Sequence, residues 1–454
     1  MTNLIKDLAN ELQAGKQSAR ELVETCLAAI DSKSGEGKRA FIEVYHDRAR
    51  AEANSVDHAR KQGWSLPAFA GIPLSIKDLF DEAGTVTLAG SKVLKDSAPA
   101  CKDATALARL KTAGFIVLGR TNMTEFAFSG IGTNAHYGDA RSPFERDKTN
   151  IYNGRVAGGS SSGSAVSISD NMAIASIGSD TGGSTRAPAA FCGIVGFKPT
   201  TTRMPTDGIY PLSQSFDAAG PMANSVSCCS VLDSLMAGGN GEDESATNLH
   251  GLRLAMPKGY LFEDLDPHIA KSFDIAISRL EANGAVIVDI TIPEIEKLRP
   301  SNNPKSIVAA EAYQVHKTRL ESNLGDQYDP FVAFRLRAGR DILASEYIEM
   351  LKTRKKVWLT VQAQLREFDA LVLPTTPILS PKITELGDIE AKILASAKSL
   401  RNTSVFNYLD RPTISIPCHE PNTGPVGLSF VGSRQHDRQL LAIAKAGETA
   451  IAHD

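Results

Sequence analysis

The chain has 454 residues, of which 42% are hydrophobic and 22% are charged, and its formal net charge is −3 at pH 7. This composition is typical of a folded globular protein and excludes a disordered chain. The small negative charge provides no general attraction to nucleic acid, so we do not expect a nucleic-acid partner.

Charged residues near the amino terminus argue against a targeting segment. Lys6, Asp7, Glu11 and Lys16 interrupt the apolar residues there and leave no room for the core of a signal peptide. No uncharged apolar stretch approaches the roughly 20 residues that span a bilayer. We therefore expect no membrane association and a cytoplasmic protein.

Helix and strand patterns alternate along the chain. Ser18 and Glu21 have the spacing of a capping box at the start of a helix. Further helices are predicted over 104–113, ended by Gly114, and from Asp266-Pro267 to Gly284. Short apolar runs predict buried strands over 72–76, 115–118, 252–256, 285–292, 370–373 and 413–416. Helices that alternate with buried strands favour an α/β fold around one large sheet.

The most distinctive motifs are two clusters of glycine and serine, which lie at 156–164 and 178–186 and contain Ser160 and Ser184. The segment 165–177 between them is small and apolar, as a buried helix followed by a strand would be. Glycine-rich loops between buried elements bring backbone N–H groups close to a ligand. Both clusters precede the acidic loop 237–248, and we expect residues 240–454 to complete the sheet and shape a pocket.

Three common motifs match these loops only in part. Gly158 and Gly163 have the spacing of a phosphate-binding loop, but Ser164 stands where that loop needs lysine. The G-x-G-x-x-A at 130–135 does not follow a clear strand. The G-x-S-x-G at 159–163 would make Ser161 the nucleophile of an α/β-hydrolase, although it leaves the second cluster unexplained.

Metal chemistry has little support in the sequence. The six cysteines include no C-x-x-C, and the nine histidines include no H-E-x-x-H. We expect reduced, mostly buried thiols and no metal.

Taken with their flanks, the two clusters resemble the amidase signature family. The resemblance extends to GIPLSIKD at 71–78, VGFKPT at 195–200, LPTTP at 373–377 and RNT at 401–403. It implies a large mixed, twisted β-sheet covered on both faces by helices, in a single domain over 1–454. The signature core would occupy about 66–225, and no cofactor would be needed.

The resemblance also implies a catalytic triad. Ser184 would be the nucleophile, Lys77 the base, and Ser160, after a cis peptide bond, the relay between them. Burial lowers the pKa of a lysine, and only its neutral amine accepts a proton. The oxyanion formed during the reaction would be stabilised by the backbone N–H groups of Thr181, Gly182, Gly183 and Ser184.

Other residues of the motifs are assigned supporting roles. We expect Asp180 and Arg186 to brace the nucleophile loop through each other, and Ser161 to form loop hydrogen bonds. The segment 127–132 is expected to offer carbonyl groups to the leaving amide. His136 is interpreted as a structural or pocket residue.

The sequence therefore predicts an amidase that hydrolyses a small carboxamide to a carboxylate and ammonia or an amine, through a seryl acyl-enzyme. The alternative is the amidase component (the A subunit) of a tRNA-dependent amidotransferase, which shares the triad but often has Gln-Pro after the arginine of the second cluster, where this chain has Ala187-Pro188. A catalytically silent assembly component is disfavoured by the complete triad. We expect a homodimer, and no linear motif identifies the acyl group.

Overall fold

The structure, a computed structural model, describes residues 4–147, 150, 153–299 and 305–452. Within these residues eleven strands form one sheet in the order β1-β3-β2-β4-β6-β5-β10-β11-β9-β7-β8. The strands are β1 (Phe41–Val44), β2 (Pro73–Lys77), β3 (Ile116–Thr121), β4 (Ala175–Asp180), β5 (Val195–Lys198), β6 (Ala218–Ala223), β7 (Arg253–Pro257), β8 (Val286–Ile290), β9 (Ala370–Pro374), β10 (Thr413–Pro417) and β11 (Gly427–Val431). Parallel and antiparallel pairs both occur, so the sheet is mixed, as predicted.

Helices pack against this sheet. They are α1 (Ile5–Gln13), α2 (Ala19–Ile30), α3 (Gly37–Ala40), α4 (His46–Lys61), α5 (Thr105–Thr112), α6 (Ser162–Ser169), α7 (Arg186–Cys192), α8 (Val226–Met236), α9 (Pro267–Ala282), α10 (Pro293–Glu296), α11 (Ile307–Leu320), α12 (Pro330–Arg337), α13 (Ala344–Gln364), α14 (Ile389–Tyr408) and α15 (Asp437–Ile451). Every residue of β2, β3, β4, β5 and β6 is buried. Because successive side chains of a strand point to opposite faces, the centre of the sheet is covered on both faces.

Local signals predicted several element boundaries well. The Ser18 hydroxyl accepts the N–H of Glu21, and the Glu21 carboxylate accepts the N–H of Ser18, so α2 begins with the predicted capping box. The Asp266 side chain likewise caps α9. The strand predicted over 115–118 instead runs from Ile116 to Thr121, because its parallel pairing with β2 continues to the Lys77–Thr121 register pair.

The two halves of the chain meet in the middle of the sheet. β10 pairs antiparallel with β5, which joins β7–β11 to the six strands that precede the 237–248 loop. This arrangement brings α14 against α7, the helix that follows Ser184. In the described part of the chain, no helix is both long enough and apolar enough to cross a membrane. All six cysteines are free thiols, and all except Cys101 are buried.

Candidate active site

Lys77 is the last residue of β2, and its side chain is fully buried between the two serine-rich loops. Its Nζ donates hydrogen bonds to Oγ of Ser160 at 2.7 Å and to Oγ of Ser179 at 2.9 Å. Burial lowers the pKa of Lys77 to about 7, although the negative charges of Asp180 and Asp217 oppose this shift. A substantial fraction of the side chain is therefore a neutral amine at neutral pH.

Ser160 lies in the tight loop before α6, where the peptide bond between Gly159 and Ser160 is cis. Its hydroxyl is buried and accepts the hydrogen bond from Lys77. Its carbonyl oxygen accepts the N–H of Thr124 at 3.1 Å, which connects this loop to the segment after β3. The loop thus places a hydroxyl group on the lysine amine.

Ser184 lies between β4 and α7 and lines a large cavity. Its carbonyl oxygen accepts the N–H of Ser161 at 3.2 Å, so the two serine loops are joined directly. Thr181 and Gly182 line the same cavity. Within the described residues, the N–H groups of Thr181, Gly182 and Ser184 have no hydrogen-bond partner, and they are therefore available to an oxyanion.

Gly183 differs from its neighbours in the oxyanion-hole prediction. Its N–H donates to Oδ1 of Asp180 at 2.8 Å and is already occupied. Its φ of +133° is a conformation that side-chain-bearing residues rarely adopt, and a Cβ there would overlap the hydroxyl of Thr403. Glycine at this position therefore allows α14 to approach the nucleophile loop closely.

A buried carboxylate organises this loop. Asp180 accepts hydrogen bonds from Arg186 at 2.9 and 3.0 Å, from Asn407 at 2.8 Å and from the hydroxyl of Thr185 at 2.9 Å. Burial opposes its ionisation, but the Arg186 guanidinium and these hydrogen bonds outweigh burial and hold the pKa of Asp180 below its usual range. Both members of the Asp180–Arg186 pair are fully buried.

A second buried carboxylate contacts the loop at Thr181. Oδ1 of Asp217 accepts the Thr181 hydroxyl at 2.5 Å, and Oδ2 accepts the N–H groups of Leu212 and Ser213, both at 2.9 Å. Burial raises the pKa of Asp217 to about 6, although these hydrogen bonds and the charge of Lys77 act in the opposite direction. Asp217 was not identified from the sequence.

The cavity beside Ser184 has a volume of about 1110 Å³. Its walls near the serine are apolar and come from Phe128, Leu212, Phe216 and Leu400. The guanidinium of Arg335, on α12, also lines it and is half-buried. The cavity can therefore hold a small organic molecule with both an apolar part and an anionic part.

Arg335 carries a positive charge with no carboxylate partner in the described structure. Its Nη1 donates to Oγ of Ser396 at 3.1 Å, and its Cζ lies 4.5 Å from the ring centre of Phe128. Burial lowers the pKa of Arg335 to about 10, so it remains a cation at neutral pH. Other cations of the cavity, such as Lys305, have carboxylate partners.

The remaining predicted residues lie outside this geometry or at its edge. Ser161 is fully buried, its hydroxyl donates to the carbonyl of Ser179 at 3.3 Å, and it is not among the described residues that line the cavity. His136 contacts the carboxylate of Glu125 at 2.6 Å and also lies outside the cavity lining. Of the segment 127–132, residues 127–129 line the cavity. The Gly130 carbonyl instead accepts the N–H of Gly159.

Sequence reasoning missed Asp217 and Arg335 because neither belongs to a glycine–serine cluster. Asp217 directly precedes a buried strand, which is a detectable position for a site residue. Arg335 lies on a helix with other arginines, and no pattern separates it from them. Among the described residues, no group of three or more His, Cys, Asp or Glu side chains could hold a metal ion.

Comparison with known proteins identifies the family. The family model described as Amidase matches residues 21–441. The chain is 31% identical to 2-amino-5-chloromuconic acid deaminase of Comamonas testosteroni, over 98% of this chain and 95% of the relative. It is 34% identical to the AtzE component of 1-carboxybiuret hydrolase of Pseudomonas sp. (strain ADP), over 98% of both chains.

Two further similarities agree with this result. The chain is 31% identical to the amidase component of glutamyl-tRNA(Gln) amidotransferase of Koribacter versatilis, over 97% of both chains. The crystal structure of a peptide amidase from Stenotrophomonas maltophilia superposes with a TM-score of 0.83 at 27% identity, over 99% of this chain and 97% of that chain. These findings confirm the family resemblance and the fold predicted from the sequence. The chain belongs to the amidase family and hydrolyses an amide bond.

Proposed function

We propose that this amidohydrolase cleaves a small carboxamide whose acyl part carries a carboxylate, with Ser184 as nucleophile, Ser160 as proton relay and Lys77 as base. The observation that carries the catalytic part is the Lys77–Ser160 hydrogen bond of 2.7 Å beside a serine that lines the cavity. A buried amine with a pKa near neutrality is suited to accept a proton through a hydroxyl group.

In the acylation step, Oγ of Ser184 attacks the amide carbonyl carbon and loses its proton to Ser160, while the proton of Ser160 passes to Lys77. The carbonyl oxygen becomes an oxyanion, which the N–H groups of Thr181, Gly182 and Ser184 stabilise. The C–N bond then breaks, and the leaving amine takes a proton from Ser160, which Lys77 replenishes. The products of this step are the acyl-enzyme and ammonia or an amine.

Deacylation uses the same groups. A water molecule attacks the ester carbonyl of the acyl-enzyme and transfers its proton through Ser160 to Lys77. The ester C–O bond breaks, and Ser184 recovers its proton to restore the free enzyme. The second product is a carboxylate.

Two observations support the substrate class. Arg335 places a cation in the cavity without a carboxylate partner among the described residues. An unpaired cation that is partly removed from water is costly, and a bound carboxylate would offset that cost through charge-assisted hydrogen bonds. Two relatives have names that denote carboxylic acids as substrates, namely 2-amino-5-chloromuconic acid and 1-carboxybiuret.

The test is acyl-enzyme trapping. The purified chain is mixed with monoamides of dicarboxylic acids and with neutral amides of equal length, and intact mass is recorded after a rapid acid quench. We expect an adduct equal to the acyl group on wild-type protein, mapped to Ser184, and ammonia release without any partner protein. Modification of Ser161, or no adduct and no turnover with any amide, would contradict the proposal.

Assembly with a partner is the alternative function, as in the tRNA-dependent amidotransferase. Activity that appears only when a partner protein is added would favour that alternative. The cytoplasmic location and the homodimer stay predictions, which cell fractionation and light scattering can test.

A further inference from the structure

We propose that Asp217 is a positioning residue for the reaction, which ties Thr181 to the cavity wall and serves as a counter-charge to Lys77. The inference rests on the proposed function, because it assumes that Lys77 is the base and that the Thr181 N–H faces the oxyanion. It concerns a residue that touches neither the nucleophile nor the cavity lining in the described structure.

The position of Asp217 follows from the pairing of β4 and β6. These strands are antiparallel, and Asp180 is in register with Ala218. The next residue of the nucleophile loop, Thr181, therefore lies opposite Asp217, and its hydroxyl donates to Oδ1 of Asp217 at 2.5 Å. Rotation of the Thr181 peptide away from the cavity would break this bond.

The other oxygen of the same carboxylate holds the cavity wall. Oδ2 accepts the N–H groups of Leu212 and Ser213, and the side chains of Leu212 and Phe216 line the cavity. A carboxylate accepts from three donors in this way, whereas an amide side chain would present its own N–H groups to the two backbone donors. One ionised group therefore fixes the oxyanion loop relative to the wall against which the acyl group packs.

A second carboxylate holds the same wall without reaching the nucleophile loop. Glu311 accepts the hydroxyl groups of Ser213 and Ser215, both at 2.5 Å, and the N–H of Ser215 at 3.0 Å. Its remaining hydrogen bond, at 2.6 Å, comes from Tyr347. Glu311 therefore serves as a matched control: it is a carboxylate on the same loop with no hydrogen bond to Thr181.

The charges around Lys77 explain the electrostatic role. The carboxylates that act on it are Asp180, at the end of β4, and Asp217, before β6. Asp180 is neutralised by its buried pair with Arg186, whereas Asp217 has no ion-pair partner in the described part of the chain. Removal of the Asp217 charge would therefore weaken the hold of Lys77 on its proton.

The test compares Asp217→Asn with Glu311→Gln on an amide that the wild type hydrolyses. We expect Asp217→Asn to lower kcat by about ten- to a hundredfold with little change in KM, because the oxyanion loop is misplaced. The acidic limb of its kcat/KM profile should move to lower pH by about 0.5 unit, because Lys77 loses an attractive charge. Glu311→Gln should leave the midpoint of that limb unchanged.

A second pair of variants separates positioning from charge and does not depend on the stability of Asp217→Asn. Thr181→Val should lower kcat with an unmoved midpoint, and Thr181→Ser should recover most of that loss. Equal kcat for the valine and serine variants would overturn the positioning role. An unmoved midpoint in folded Asp217→Asn would overturn the counter-charge role. Failure of the wild type to form an acyl-enzyme would instead refute the proposed function itself.

Discussion

The side-chain nitrogen of Lys77 lies 2.7 Å from the hydroxyl oxygen of Ser160, and both side chains are buried. One comes from the end of a central strand and the other from the loop before α6, so their contact depends on the packing of this helix and strand. The same contact gives the lysine a hydroxyl partner in place of a carboxylate that would hold its proton. The chemistry of the site therefore depends on burial.

The triad can be tested by single substitutions. Lys77→Ala and Ser184→Ala are each expected to lower kcat by about 10⁴-fold or more, because they remove the base and the nucleophile. The double variant should cost little more than the worse single variant, since the residues act as a unit. Steady-state kinetics of the three variants measures both effects.

Ser161→Ala is the control for this series. Its hydroxyl donates only to the Ser179 carbonyl, at 3.3 Å, so we expect a loss of no more than about tenfold. A loss as large as that of Ser184→Ala would instead support an α/β-hydrolase nucleophile at Ser161.

The pH dependence of the reaction should report the base. Burial lowers the pKa of Lys77 to about 7, and only the neutral amine accepts a proton. Activity should therefore be low when the amine is protonated and should rise as pH increases through about 7. The measurement is kcat/KM from about pH 5 to 9, with circular dichroism at each pH to show that the chain stays folded. A profile that is flat through neutrality would show that the base is another group.

The buried Asp180–Arg186 pair should matter to stability as well as to the loop. Arg186→Gln leaves a carboxylate buried without its cation, and such losses cost about 3–5 kcal/mol. Urea unfolding followed by circular dichroism measures this change. The control is Arg340→Gln, which removes an exposed pair with Asp341 and should change the free energy of unfolding by less than about 1 kcal/mol. Equal effects of the two substitutions would contradict the role given to the buried pair.

Gly183 provides a steric test of the nucleophile loop. A Cβ at this position would overlap the Thr403 hydroxyl, and its φ of +133° is unfavourable for alanine. Gly183→Ala should therefore lower kcat by about a hundredfold through displacement of Ser184. Gly387→Ala is the matched control, because no atom lies within 4 Å of the Cβ that it would add. Wild-type kcat for Gly183→Ala would show that α14 yields without cost.

The sequence predicted the parts of the site that local patterns encode. The apolar run before Lys77 predicted a buried strand, and the glycines around Ser160 and Ser184 predicted tight loops. The role of Asp217 could not be predicted in this way, because it depends on the register between β4 and β6.

Contacts between distant segments explain what else was missed. Asn407 and Thr403 reach the nucleophile loop only because β10 pairs with β5 and brings α14 against α7. The engagement of the Gly183 N–H by Asp180 was also not predictable, since it depends on the detailed course of the loop.

Substrate selection should depend on the charge of Arg335. The cavity holds this cation beside the ring of Phe128, and a substrate carboxylate would accept its free N–H groups. Arg335→Gln is expected to lower kcat/KM for a monoamide of a dicarboxylic acid by about 10- to 100-fold, and to change it little for a neutral amide of the same length. The matched control is Arg337→Gln, an exposed arginine of the same helix that does not line the cavity in the described structure. If Arg335→Gln affects charged and neutral amides equally, the arginine shapes the cavity without selecting a carboxylate.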